Sequence, residues 1–225
     1  MKTFIYKLKE RFKREPKKIL LIIAFFLFSA LTFGLINRPW GEVTSLKMPI
    51  DDMIPFMPQF IIIYNLFGPF FLLSGIIFYA FEEDEVYYKY TLALFTGQII
   101  GYIIFYFYQT EIPRPDMTLY PNGIFENMVR FTYSIDNNFA GFPSLHVTDM
   151  LILIIATLKT KFSNSAKTWM TMLATLIAIT TVLVKQHVFI DIPGGILNGI
   201  ISFAIASYIV EHFKKKQKRL KGLHS

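Results

Sequence analysis

The sequence contains no cysteine and few charged residues. In a chain of 225 residues, the lack of Cys excludes disulfides, thiolate nucleophiles and Cys-ligated zinc or iron–sulfur centres. The four histidines are too few and too scattered to form a rich metal cluster. Charged residues make up only 17% of the chain, whereas a soluble domain carries about a quarter. A solvated globular protein is therefore not expected.

Apolar residues take the place of the missing charge. They make up 53% of the sequence, with 24 Phe, and the mean hydropathy is +0.44. This is more apolar surface than one globular core hides, which predicts a membrane protein. The net charge of +7 is concentrated at the two basic ends, residues 1–18 and 212–225, beside apolar stretches. We therefore expect these ends to contact anionic lipid headgroups and not nucleic acid.

Six apolar stretches predict an all-α, polytopic helical bundle. A spanning helix needs about 20 apolar residues, because the hydrocarbon core is about 30 Å thick. The fourth stretch is short and has to extend into polar flanks or sink into the bundle. We expect a single domain, 1–225, with spans at Ile19–Ile36, Phe60–Phe81, Tyr90–Tyr108, Val147–Leu158, Trp169–Val184 and Ile192–His212.

The distribution of Lys and Arg predicts the orientation. Eighteen of them fall on the side of the two termini and five on the opposite side. Because positive residues accumulate in cytoplasmic segments, both termini are predicted to be cytoplasmic. The connection 109–146 then faces outward, as expected for a multi-pass protein of the plasma membrane.

Polar residues gather at the outward ends of the predicted spans, where they mark a candidate functional site. Arg114 lies between Pro113 and Pro115, which fix the local backbone. Its forked guanidinium suits a phosphate group. The alternative is an arginine that snorkels to the interface. The segment from Gly141 to His146 reads as a helix start whose N–H groups form an anion site, with Ser144 and His146 facing it. An interfacial, hydrogen-bonded His146 is the alternative.

His187 and Asp191 are four residues apart. They share a face if the segment is helical, or they meet across a turn, because Pro193 indicates that the last helix begins near Asp191. In both cases the carboxylate can fix one imidazole N–H and leave the other nitrogen as a nucleophile. Alternatively, Asp191 only caps the helix. The next residues, Gly194 and Gly195, predict close helix packing.

The order Arg-Pro, then Pro-Ser-x-His, then His-x3-Asp before a final glycine-containing span resembles the type 2 phosphatidic acid phosphatase superfamily. The resemblance covers nearly the whole chain. Gly-Phe-Pro-Ser-Leu-His-Val and Lys-Gln-His-Val-Phe-Ile-Asp are most similar to the branch of inositol phosphorylceramide synthases and related bacterial membrane phosphatases. It implies that His187 attacks phosphorus, Asp191 orients it and His146 protonates the leaving oxygen. Arg114 and Ser144 would hold the phosphate, with no metal or other cofactor.

Two positions depart from the family pattern. Phe107 stands where the first motif usually has a lysine, and Thr180-Thr181 replaces the usual Ser-Arg of the third motif. We expect Lys185 to supply the missing charge as a phosphate ligand. Fewer cations favour a less highly charged phosphate, such as a diester.

Three functions are compatible with these patterns. The first is a membrane lipid phosphatase acting on a lipid phosphate or diphosphate, with water as the acceptor. The second is a headgroup phosphotransferase that passes the group to a lipid alcohol. The third is a non-catalytic membrane scaffold or transporter.

Asp149 is expected to contribute in one of two ways. It lies three residues after His146, so on a helix the two share a face. Its charge then favours imidazolium at His146. Alternatively, Asp149 only complements the helix dipole.

Overall fold

A computed structural model describes residues 2–81 and 83–222, with side chains for 4–81 and 83–220. The last three residues of the predicted basic end 212–225 lie outside the described residues. The described chain is an all-α bundle, as predicted. Within the described ranges, five apolar helical stretches are long enough to cross a membrane. They are α2 (Pro16–Ile36), the stretch Pro58–Phe81, α6 (Asp84–Phe107), α9 (Asn164–Leu183) and α10 (Asp191–Gly222).

The stretch Pro58–Phe81 consists of three consecutive helical pieces. These are a 3₁₀ turn (Pro58–Phe60), α4 (Ile61–Asn65) and α5 (Phe67–Phe81). The chain begins with α1 (Lys2–Arg14), which packs on α5 and α2.

The fourth predicted stretch is short and sunk into the bundle, which is one of the two outcomes expected for it. The stretch Val147–Leu158 lies in α8 (Leu145–Lys159), which has 15 residues and is about 22 Å long. Its neighbours α6, α9 and α10 surround it, and its residues are buried or half-buried up to Thr157. A helix enclosed by protein does not have to match the thickness of the hydrocarbon core, so the apolar run is short.

Small residues allow α8 and α10 to approach closely. A Cβ on Gly195 would lie 2.6 Å from the Ser144 main-chain oxygen, and one on Gly194 would clash with the Phe142 ring. The predicted role in close helix packing is thus confirmed for Gly195, whereas Gly194 leaves room for a ring in the segment before α8. The close approach brings the first turn of α8 against the first turn of α10, which sets the distance between the two histidine-bearing segments.

Two connections meet beyond the ends of α2 and α6. One contains β1 (Thr44–Ser45) and α3 (Pro49–Met53), and the other contains β2 (Thr110–Glu111), a 3₁₀ turn (Met117–Leu119) and α7 (Ile124–Ile135). The two short strands pair in parallel. Asn37, at the end of α2, donates to Asp136 Oδ1 and to the Asn137 carbonyl, both at 2.8 Å. These contacts fasten the segment after α7 to the first span.

Ion pairs join the helices at the opposite end of the bundle. Lys89 in α6 bridges Glu85, at 2.8 Å, and Glu211 in α10, at 2.7 Å. Arg11 in α1 contacts Asp84 at 2.5 Å. These ion pairs hold the helices together at the charged end. The opposite end, with the histidines, is built by the two connections described above.

Candidate active site

The centre of the site is a row of three side chains. Asp191 Oδ2 lies 3.0 Å from His187 Nδ1, and His187 Nε2 lies 3.4 Å from His146 Nδ1. Both His187 and Asp191 are buried. The structure thus brings together the three residues predicted to be catalytic.

His187 and Asp191 meet across a turn. His187 precedes α10, and Asp191 is the first residue of that helix. Asp191 Oδ2 also accepts the Val188 N–H at 3.1 Å, so the carboxylate stabilises the turn as well as the imidazole. The Thr181 carbonyl, at the end of α9, accepts the His187 N–H at 3.1 Å. Asp191 therefore holds the ring of His187, and Thr181 holds its main chain.

Ser144 begins α8. Its Oγ accepts the Val147 N–H at 3.3 Å, and its own N–H donates to the Asp191 carbonyl at 3.1 Å. The predicted helix start is confirmed, and this second bond ties the start of α8 directly to the start of α10. Ser144 is completely buried and keeps its hydroxyl proton available for donation.

His146 has a partner that the sequence analysis missed. Tyr64 Oη, in α4, lies 3.0 Å from His146 Nε2, and the Phe67 ring lies 4.3 Å from the imidazole, between centroids. Tyr64 and Asn65 are a polar pair within an otherwise apolar span, which was the available signal. A tyrosine hydroxyl can donate to or accept from Nε2, so Tyr64 fixes the orientation of the imidazole with Nδ1 facing His187.

Arg114 holds the segment after α7. Its NH1 group donates to the carbonyl of Asp136 at 2.7 Å, and its NH2 group to Gln186 Oε1, also at 2.7 Å. The Tyr133 ring lies 4.4 Å from the guanidinium carbon. Burial lowers the pKa of Arg114, and burial also raises the pKa of Asp136 although the guanidinium nearby favours its charged form. Arg114 Nε is buried without a hydrogen-bond partner.

Lys185 points to a different segment. It adopts a left-handed backbone conformation with φ 53° after α9. Its ammonium donates to the carbonyls of Asp51, at 2.8 Å, and Ile54, at 2.6 Å. Burial lowers its pKa. The structure therefore does not place Lys185 among the residues that line the cavity at the histidines, and Gln186 is found there instead.

That cavity has a volume of about 230 Å³. Its outer part is lined by Asp136, Asn137, Gln186 and the two histidines, and its inner part by Ser29, Gln98 and Asp149. Asp149 Oδ2 accepts from Gln98 Nε2 at 3.0 Å, while both ring nitrogens of His146 face other partners. Within the described residues, no group of three or more His, Cys, Asp or Glu side chains is arranged to hold a metal ion.

Comparison with protein families decides the assignment. Residues 86–215 match the model of the PAP2 superfamily. The chain belongs to the PAP2 superfamily. As a member, it is a multi-pass membrane protein of a phosphoesterase family. The matched segment contains the row His146, His187 and Asp191 as well as Arg114. Comparisons with curated proteins and with solved structures give no match.

Proposed function

We propose that this protein is an integral-membrane lipid phosphatase that hydrolyses a lipid phosphate or diphosphate through a phosphohistidine. The observation that carries the proposal is the row Asp191–His187–His146, with contacts of 3.0 and 3.4 Å. A carboxylate on Nδ1 leaves the Nε2 lone pair of His187 free for attack on phosphorus. A second histidine beside Nε2 stands where a leaving oxygen needs a proton.

The first half of the reaction forms a P–N bond. His187 Nε2 attacks phosphorus, the bond from phosphorus to the lipid oxygen breaks, and His146 in its imidazolium form gives its Nδ1 proton to that oxygen and becomes neutral. In the second half a water oxygen attacks phosphorus, its proton passes to His146, and the P–N bond breaks with its electron pair returning to His187. Positioning and charge neutralisation supply most of the rate enhancement in such transfers.

Arg114, Ser144 and Lys185 are the proposed phosphate ligands. Each is engaged within the protein but retains one donor: the Nε–H of Arg114, the hydroxyl of Ser144 and the third ammonium N–H of Lys185. For Lys185 this requires its ammonium to turn from the Asp51 and Ile54 carbonyls towards the cavity. With few cations near the histidines, a phosphate of low charge is favoured.

Trapping of the intermediate tests the proposal. Purified protein is mixed briefly with lipid carrying labelled phosphate and then quenched. We expect an acid-labile, base-stable label that His187→Ala abolishes together with turnover, whereas His146→Ala slows loss of the lipid alcohol. His212→Ala, in α10 beside Phe213, is the matched control and should label normally. Label that persists in His187→Ala contradicts the mechanism.

The acceptor and the membrane face need separate experiments. If water is the acceptor, inorganic phosphate is released at the same rate with or without an added lipid alcohol, while a phosphotransferase forms a new phospholipid. For the face, the Cys-free chain allows single cysteines to be introduced. An outward-facing site in the plasma membrane predicts that Asn122→Cys reacts with an impermeant maleimide in intact cells and Lys216→Cys only after permeabilisation. The reverse pattern contradicts this placement.

A further inference from the structure

The inner end of the catalytic cavity is polar, although it lies between membrane-embedded helices. Asp149 from α8, Gln98 from α6 and Ser29 from α2 line it. Asp149 and Gln98 are each 2% exposed. Burying polar and ionisable side chains at such a depth costs free energy unless they have hydrogen-bond partners. Those without partners are therefore candidates for a function.

The hydrogen bonds of this group are incomplete. Gln98 Nε2 donates to Asp149 Oδ2, and Ser29 Oγ lies 3.4 Å from Gln98 Oε1. Asp149 Oδ1 is buried and has no hydrogen-bond partner. A contact that only joined α6 and α8 would use one oxygen of the Asp149 carboxyl group. The second oxygen, Oδ1, is not used in this contact, and Asp149 lines the cavity.

The position of Asp149 relative to the histidines determines which part of a bound lipid can contact it. Asp149 lies three residues after His146 on α8, about 4.5 Å farther along the helix axis. The cavity runs from His187 to Asp149, so the chain of a lipid whose phosphate is at His187 would extend in the same direction if it followed the cavity inward. The atoms a few bonds from the phosphate ester oxygen then lie at the level of Asp149.

We propose that Asp149 and Gln98 form a subsite that binds a hydroxyl group of the substrate lipid, a few bonds from the transferred phosphate. The proposal rests on the phosphatase function proposed above. A hydroxyl both donates and accepts, so it complements the carboxyl group in either protonation state. A plain hydrocarbon chain leaves Oδ1 unpartnered, and sites built to bind a hydroxyl discriminate against analogues that lack it.

Two matched substrates test the subsite. One is a long-chain alkyl phosphate, and the other is the same alkyl phosphate with a hydroxyl group on the third carbon. Both are supplied as a mixture to the purified full-length protein, so that the ratio of kcat/KM values does not depend on the active fraction. We expect wild type to prefer the hydroxylated lipid by about 10-fold or more. No preference in wild type overturns the subsite.

Variants of Asp149 show whether this residue binds the substrate hydroxyl or only joins α6 and α8. In Asp149→Leu the preference should fall to near unity. If that variant does not fold, Asp149→Ala removes the same two oxygens without adding bulk, and the preference should fall at least about threefold. An unchanged preference in the variant that folds contradicts the proposal and leaves Asp149 as a link between α6 and α8.

Asn198→Ala is the matched control. Asn198 donates to the Gly97 carbonyl and to Thr148 Oγ1, so it joins the same helices, but it does not line the cavity. Its loss should lower thermal stability and leave the preference unchanged. Hydrolysis of both lipids without a preference refutes the subsite alone, whereas no hydrolysis and no label on His187 refute the phosphatase function.

Discussion

Tyr64 Oη and His146 Nε2 are hydrogen-bonded at 3.0 Å, although 82 residues separate them in the sequence. Of the two nitrogens of His146, Tyr64 contacts one and His187 the other. The imidazole thus has a defined orientation before substrate arrives. Because the orientation is set from α4, the first half of the chain contributes directly to a site whose motif residues lie in the second half.

Tyr64→Phe should lower kcat about 10-fold, equivalent to about 1.4 kcal/mol, and leave KM nearly unchanged. The hydroxyl that orients the imidazole of His146 is lost, while the ring stays. Steady-state kinetics over a range of pH measure the effect. Tyr79→Phe removes a comparable hydroxyl bond, to the Glu15 carbonyl at the other end of the bundle, and should retain normal kcat. Equal losses in both variants would mean that Tyr64 only supports folding.

Asp191→Asn should reduce kcat by about 10²-fold or more with little change in KM. An amide can present N–H to Nδ1 and favour the tautomer in which Nε2 is protonated and cannot attack. The phosphoenzyme should form correspondingly slowly in rapid-quench experiments. Asp116→Asn, at the exposed start of the 3₁₀ turn Met117–Leu119, is the control. Normal phosphoenzyme formation in Asp191→Asn would show that the carboxylate is only a helix cap.

Arg114→Lys should reduce kcat/KM about 10-fold or more, since the ammonium cannot reproduce the forked contacts with the segment after α7 and with Gln186. Arg130 provides a close control because it also binds main-chain carbonyls, those of Met117 and Tyr120. Arg114 binds Gln186, which lines the catalytic cavity, whereas Met117 and Tyr120 do not line it. Activity that falls equally in Arg130→Lys would assign both arginines to loop structure.

Gly195→Ala should destabilise the protein and reduce kcat together. The new methyl group would lie 2.6 Å from the Ser144 carbonyl oxygen, so the start of α8 has to move away from α10. That movement separates His146 from His187. Gly34→Ala, with nothing within 4 Å of the added atom, should be neutral or stabilising by about 0.5–1 kcal/mol. Thermal unfolding and kcat measured on the same samples check both expectations. A fully active Gly195→Ala variant would show that the contact tolerates expansion.

The sequence predicted the bundle and the three residues at the centre of the site because both depend on local patterns. Long apolar runs identify spans, and the His-x3-Asp spacing places a carboxylate next to an imidazole in a helix or across a turn. Tyr64 was missed because its role depends on how α4 packs against α8. For Lys185, charge alone favoured a phosphate contact. The left-handed backbone at that residue directs its ammonium to Asp51 and Ile54, and the neutral neighbour Gln186 enters the cavity.

The enclosure of α8 has a consequence for how the protein responds to its lipid environment. Only Leu158 and Lys159 of this helix are exposed, so bilayers of different thickness act mainly on α2, α9 and the outer faces of their neighbours. These helices can tilt to relieve hydrophobic mismatch. The bond from Ser144 N–H to the Asp191 carbonyl keeps the two histidine-bearing segments together during such tilting. Catalysis should therefore tolerate a change of acyl-chain length in the surrounding lipids.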